Sequence, residues 1–291
     1  MKFKNVKPNE TLLKATAPEN VTRLVFDEDK ETMILAGFDG DQVICYAVFY
    51  RVPAEGHEVK LIYIYTVPDR RDEGCCSALL EESKRILATV DIDYITMRQI
   101  VEYEDAAEYN NFYTKRGFLP MNLTGRLLEY RLSDMLDAGV FQTVVKNRKK
   151  LPQVYDIKTI GDMRLKSMLT HARMNGFSFA MDESIMPYSR FYIGNDEIDG
   201  ALIASKPDED TLYVSSVYLE NETEDKNLFL VLFSECVYAA FRDDLDKEFR
   251  ILIIVDSDEV YQGLLNIYNP PDEECAVLEY IMPIAAKGGK N

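Results

Sequence analysis

Between Val67 and Leu87 the chain reads VPDRRDEGCCSALLEESKRIL, an order of residue types that suits an anion. A strand-like run ends at Pro68, a charged turn follows, and Gly74 stands where a helix begins. Cys76, Leu79, Ser83, Ile86, Leu87 and Val90 keep the three-and-four spacing of a buried face and predict that helix over about 75 to 88. A helix amino end leaves amides without carbonyl partners and adds partial positive charge, so phosphate oxygens are satisfied there. Glycine at the join lets a ligand approach the backbone closely. The thiols of Cys75 and Cys76 also lie where a helix dipole lowers a thiol pKa. A redox reading of them lacks any histidine partner nearby in sequence, and small side chains packed under the loop account for both.

Other chemistries find little support. The five cysteines (Cys45, Cys75, Cys76, Cys236, Cys275) form no CxxC pair, and only His57 and His171 could join them, so neither a disulfide framework nor a zinc site is expected. The motifs GxSxG, HExxH, the Walker loop and GxGxxG are missing from the sequence. Acidic clusters at 27–31, 207–210 and 270–274 lack the spacing of a calcium loop and read as solvated turns.

Pro68 precedes Arg71 by three residues, Arg71 precedes Gly74 by three, and a second small position falls on Cys76. About 40 residues on, FYTKRGF from Phe112 to Phe118 sets Tyr113 four before Gly117. In this order and spacing the chain resembles the GCN5-related N-acetyltransferase (GNAT) superfamily over roughly residues 20 to 132, with Cys76 where Gly or Ala is usual. The resemblance implies acetyl-CoA as co-substrate and direct attack of an amine on the thioester. It implies a diphosphate loop of Arg71, Asp72, Glu73, Gly74, Cys75, Cys76 and Ser77, with the strand end at Thr66 and Val67 beside the pantetheine arm. Tyr113 would be the general acid for the leaving thiolate. Many members carry a Glu in the strand before Val-x-Pro, but here Val59 to Pro68 holds no carboxylate, so the candidate bases are His57 or Glu58, just upstream. Tyr63 and Tyr65 would be acceptor-pocket walls or core. The alternative is a non-catalytic acyl-CoA-sensing or protein-interaction module, favoured by the missing carboxylate and by Cys76.

The elements that would position these residues occur twice. TMILAGF, an Asp-Gly-Asp turn and QVICYAVFYR predict two hairpin-linked strands, followed by the strand VKLIYIYTV and the helix of residues 75 to 88. YITMRQIV is the next strand, DAAEYNNFYTKR a short helix ending at Gly117, and RLLEYRL a last strand. The second half offers a helix around 162 to 175 closed by Asn175-Gly176, then strands SRFYIG and EIDGALIAS about a turn at Asn195, and LYVSSVYL. A helix over about 225 to 242, the strand RILIIV, a helix over about 258 to 267 and the strand CAVLEYIM complete it. The triplet Leu-Glu-Tyr recurs at 128–130 and 278–280, in the same place in each copy. The expected fold is mixed α/β: two tandem acetyltransferase-like domains, each a largely antiparallel mixed sheet flanked by helices. They would span 1–145 and 153–291, joined by a basic linker at 146–152.

The 291 residues carry a formal charge of -17, with 21 basic against 24 acidic residues up to Lys150 and 12 against 26 beyond it. That excess repels polyanions and suits a small amine or cationic substrate, with no nucleic acid and no membrane as partner. No long apolar run or signal peptide is present, so a cytoplasmic protein is expected. The second copy is expected to keep the fold but bind no CoA. Glu220 to Leu230 reads ENETEDKNLFL, no glycine falls between Gly200 and Gly263, and IYNPP replaces the Gly-Phe pair.

Overall fold

The run QVICYAVFYR is apolar on both faces, so it must lie within a sheet covered on two sides. It becomes strand β3 (Gln42–Arg51), buried from residue 44 to 49. The structure, a computed structural model, describes residues 1–7, 10–27, 31–51, 57–137, 153–161, 164–169, 185, 187–194, 196–220, 228–241, 248–267 and 270–284. In the first unit β1 (Lys2–Val6), β2 (Thr32–Asp39), β3, β4 (Glu58–Thr66) and β5 (Tyr94–Val101) lie side by side in chain order. All neighbours run antiparallel except β4 and β5, which are parallel.

Helices α1 (Glu10–Thr16) and α2 (Glu19–Phe26) set Leu13, Val21 and Val25 against Ile34, Ala36, Tyr46 and Val48. By the two-residue strand period Cys45 points the other way, and its thiol reaches the carbonyl of Cys75, at the start of α3 (Cys75–Leu87). That helix packs on β2, β3 and β4, burying Leu79, Leu80, Ser83 and Leu87. Val90, expected on the buried face, is exposed, because the helix stops at Leu87. β1, α1 and α2 go beyond the predicted elements, since helices of 7 and 8 residues hold barely two turns of periodicity. After β5 come α4 (Ala106–Thr114), β6 (Leu119–Arg131) and α5 (Leu132–Asp137).

The second unit repeats the plan. It contains β7 (Val154–Tyr155), α6 (Ile157–Ile160), β8 (Arg190–Gly194), β9 (Glu197–Ser205) and β10 (Thr211–Leu219). α7 (Leu228–Phe241), β11 (Arg250–Val255) and α8 (Asp258–Ile267) follow, and β12 (Glu273–Pro283) is the last strand. The strand order is β6-β11-β10-β9-β8-β7, with β10 and β11 the parallel pair among the registered neighbours. α7 is apolar nearly all round and correspondingly buried, with Leu232, Phe233, Cys236 and Val237 inaccessible. Among the described residues no helix is long and apolar enough to cross a membrane. The predicted linker at 146–152, the helix closure at Asn175-Gly176 and the turn residue Asn195 lie outside the described residues.

A division at 145 and 153 is where the fold departs from the sequence reading. The first compact unit comprises Met1–Gln99, Glu104–Leu123 and Leu278–Asn291; the second comprises Ile100–Tyr103 and Thr124–Val277. Each copy's last strand thus serves the other unit. β6 pairs antiparallel with β11, from Arg131 opposite Arg250 to Arg126 opposite Val255, and lends Leu128 and Tyr130 to the second core. In the first unit the end of β12 is tied to β5, where Arg98 grips Glu279 at 2.5 Å and the Ile284 N–H donates to the Asp93 carbonyl. A strand is selected by its hydrogen-bonding edge and apolar face, and the two Leu-Glu-Tyr strands present the same face. Their order along the chain therefore does not decide which sheet takes which. Leu128→Ala is expected to cost about 2–5 kcal/mol and to speed amide exchange in β10 and β11 before β2 and β3. Earlier loosening of β2 and β3 would return Leu128 to the first core.

Candidate active site

β4 and β5 are in register only from Glu58 opposite Tyr94 to Lys60 opposite Thr96. On its other side β4 stays paired with β3, but Val48 faces Tyr63 while Phe49 faces Leu61, leaving Ile62 as an extra residue. Such a bulge bends its strand and adds twist, and β4 leaves β5 at that point. From Leu61 onward the strand presents backbone groups to a gap that narrows toward Lys60. The Val67 N–H still donates to the Ile44 carbonyl, so the chain stays anchored to β3 up to the turn.

The turn is held by Arg70, a residue without a role in the sequence reading. Its guanidinium meets Asp39 at 2.7 Å and Glu73 at 2.6 Å, fastening the loop to the end of β2 and holding the Asp39 carboxyl below its usual range. Arg71 is exposed and makes one long contact, Nε to the Thr66 carbonyl at 3.5 Å. Asp72 (φ 63) and Gly74 (φ 77) are both left-handed, and the chain enters α3 directly from the second. The space around Gly74 is open, so backbone conformation and not crowding selects glycine there. The first intrahelical bond runs from the Ala78 N–H to the Gly74 carbonyl, so the amides of Cys75, Cys76 and Ser77 have no acceptor within the helix.

Cys75 is buried and Cys76 half-buried under this loop. Burial pushes the Cys76 thiol up, against the pull of the nearby Arg116 guanidinium, which disfavours a thiolate. The Arg116 guanidinium stacks 3.6 Å over the Phe112 ring and donates to the Phe112 carbonyl, while its buried Nε finds no acceptor.

Tyr113, at the end of α4, is 3% exposed. The FYTKRGF motif acquires a structural reason here. Gly117 takes φ 87, its N–H donates to the Thr114 carbonyl, and the Phe118 N–H donates to Tyr113. This is the Schellman pattern, completed by the edge of Phe118 on the Tyr113 ring at 5.6 Å. Phe112 adds an edge contact at 4.9 Å, and Tyr280 of β12 lies 5.4 Å away. Among the described residues the Tyr113 hydroxyl meets no hydrogen-bond partner. Burial raises its pKa well above the ordinary tyrosine value, with Cys76, Tyr109 and Tyr280 pushing the same way and Arg116 opposing.

His57 and Glu58 are not brought to this loop. Both lie at the closed end of β4, and eight residues at about 3.3 Å each put Glu58 ~26 Å along the strand from Thr66. Glu58 is buried and accepts a hydrogen bond from Thr96 of β5. His57 is exposed, its Nδ1 3.0 Å from the Asp91 carbonyl, with the Asp91 and Asp93 carboxylates nearby. Tyr63 and Tyr65 stand on the α1 side, around Tyr46. The Tyr63 hydroxyl donates to the Thr16 carbonyl at 2.5 Å, and Tyr46 shares a hydrogen bond with the Thr16 hydroxyl. Sequence reasoning missed Arg70, Arg116 and Tyr280; the Leu-Glu-Tyr repeat carried the signal for the last.

In the second unit β10 and β11 likewise stay in register only as far as Val214 opposite Ile253, and Ser215 is the extra residue of β10 against β9. Residues 221–227, where a second loop would stand, lie outside the described residues. Of the other acidic clusters, Glu274 is engaged by Arg126, Tyr103 and Tyr261, and Asp272 accepts from the Arg131 amide.

Comparison with known proteins agrees with this geometry. No curated protein matches the chain. A tandem GNAT protein from the clavulanic acid biosynthesis pathway is similar at 13% identity and TM-score 0.58, with 98% of each chain covered. A GCN5-related N-acetyltransferase from Sphaerobacter thermophilus is similar at 11% identity and TM-score 0.56, covering 97% of this chain and 96% of that one. A glucosamine N-acetyltransferase region of a fungal multi-domain GH3 β-N-acetylglucosaminidase gives TM-score 0.64 at 10% identity, over 96% of this chain and 38% of that one. Residues 7–118 match the model of the Acetyltransferase (GNAT) family, and the chain over its whole length has the fold of a tandem GNAT protein.

Proposed function

We propose that this protein is an acetyl-CoA-dependent N-acyltransferase that moves an acetyl group to a primary amine by direct attack on the thioester. The observation that carries this reading is the parting of β4 from β5 after Lys60, beside a helix start whose first amides are open. The free edge of β4 suits the amide-rich pantetheine arm, which would add to it as an extended strand does. The amides of Cys75, Cys76 and Ser77, entered from a left-handed Gly74, suit the diphosphate, with Arg71 exposed alongside. Acetyl-CoA supplies the activated acyl group; the chain's work is to hold it at attack distance from the amine and to exclude water.

Tyr113 is the group we assign to the leaving thiolate. Its raised pKa keeps it protonated throughout the physiological range. Burial also makes it a weaker acid than free tyrosine, at about 10. Its contribution therefore begins as a hydrogen bond into the developing negative charge, with proton transfer following. The acceptor in this proposal is a small cationic amine, drawn by the acidic second half of the chain. The second copy binds no CoA, for want of a glycine between Gly200 and Gly263. A non-catalytic acyl-CoA sensor is the competing reading, favoured by Cys76 and by a β4 without carboxylates after Glu58. Acetyl-CoA turnover across polyamines, aminoglycosides, amino acids and peptides separates the two, since the sensor binds without turnover.

Gly74→Glu is expected to abolish acetyl-CoA binding by calorimetry while leaving the melting transition cooperative, because it adds charge and a strained φ where the amides must meet phosphate. Retained affinity would move the diphosphate elsewhere. Tyr113→Phe is expected to lower kcat by about ten to a thousandfold with little change in acetyl-CoA affinity. Wild-type turnover in that variant would take Tyr113 out of the mechanism.

A further inference from the structure

We infer that Tyr280, carried by the last strand of the chain, is a positioning residue for Tyr113, and this rests on the proposed role of Tyr113 at the thiolate. Tyr280 is 0% exposed and holds α4 at two points one helical turn apart. Its ring lies 5.4 Å from that of Tyr113, and its hydroxyl donates to Asn110 Oδ1 at 3.3 Å, across 170 positions of sequence. It also meets Phe118 edge-on at 6.4 Å, the residue that closes the Schellman turn. Its neighbour Glu279 is locked to Arg98 of β5 at 2.5 Å, which fixes the height of the tyrosine along the sheet.

Without Tyr280 the Tyr113 ring would lose a tilted ring contact at 5.4 Å, and the phenol could tilt within α4. Displacements of that size cost catalysis more than binding, because attack geometry is steep in distance. In the second unit Tyr130 of β6 is likewise buried in the core, and Tyr261 of α8 packs against that core. Each exchanged strand thus brings the tyrosine of its Leu-Glu-Tyr triplet into the core on which the helix after the fifth strand of the plan packs. The service that the second half of the chain performs for the first site is therefore to deliver this tyrosine.

The test uses the full chain with Tyr280→Leu, which keeps an apolar side chain but removes the ring, and Tyr280→Phe, which keeps the ring. Two readouts are taken: kcat and KM for acetyl-CoA with the best amine of the panel, and the ring NMR signals of Tyr113, assigned by their loss in Tyr113→Phe. Tyr280→Leu is expected to lower kcat by about ten- to a hundredfold with KM nearly unchanged, and to shift the Tyr113 signals. Tyr280→Phe is expected to restore both. A cooperatively melting Tyr280→Leu protein with wild-type kcat and unmoved Tyr113 signals overturns the inference, as does a loss that Tyr280→Phe fails to rescue. A wild-type chain without turnover on any amine sinks the acyltransferase reading instead, and the Tyr113 signals then decide the positioning role alone.

Discussion

Register between β4 and β5 ends at Lys60, and beyond it the backbone of β4 has β3 on one side and no β5 residue opposite on the other. The extra residue at Ile62 makes this separation stable, since the bend it introduces is paid for within the β3–β4 ladder and not by breaking it. The turn before α3 depends on where β4 ends, and that end is fixed by the Val67 N–H to Ile44 and by Arg70 bridging Asp39 and Glu73. Were β4 and β5 paired to their ends, the open amides of α3 would face a closed sheet edge, and an extended ligand would have no strand to join.

Tyr113 is held by a frame of its own. The α4 helix is closed by Gly117 and Phe118, and the ring is then enclosed by Phe112, Phe118 and Tyr280. Desolvation within that enclosure keeps the phenol protonated. Cys76 and Arg116 complete the surroundings, and the cysteine at the usual Gly or Ala position is accommodated by partial burial beside a guanidinium. A thiol held protonated there is poorly suited to act as a nucleophile.

How far the sequence revealed this varies with the range of the interactions involved. The helix of residues 75 to 88, the hairpin of β2 and β3 and the turn at Gly74 follow from period, turn residues and glycine, which act within a few positions. The Tyr113 motif was legible for the same reason, because a Schellman closure is written in six consecutive residues. The parting of β4 from β5 has no such local signal; the bulge at Ile62 leaves no mark in a run such as VKLIYIYTV. The repeat of Leu-Glu-Tyr was visible, but its exchange was not, because either copy satisfies either sheet and sequence carries no record of that choice. A cut near residue 150 would accordingly remove β6 from the second unit and β12 from the first. His57 and Glu58 were named for their nearness in sequence to the strand, and in the fold they lie where β4 and β5 are still joined.

Amide hydrogen exchange of the intact chain with and without acetyl-CoA tests the central claim most directly, because it reads the very backbone groups on which the claim rests. The account predicts new protection at the amides of Cys75, Cys76 and Ser77 and along β4 beyond Leu61, with β10 and the start of α7 unchanged. Protection confined to the second unit, or none at residues 75–77 when binding is saturated, would contradict it.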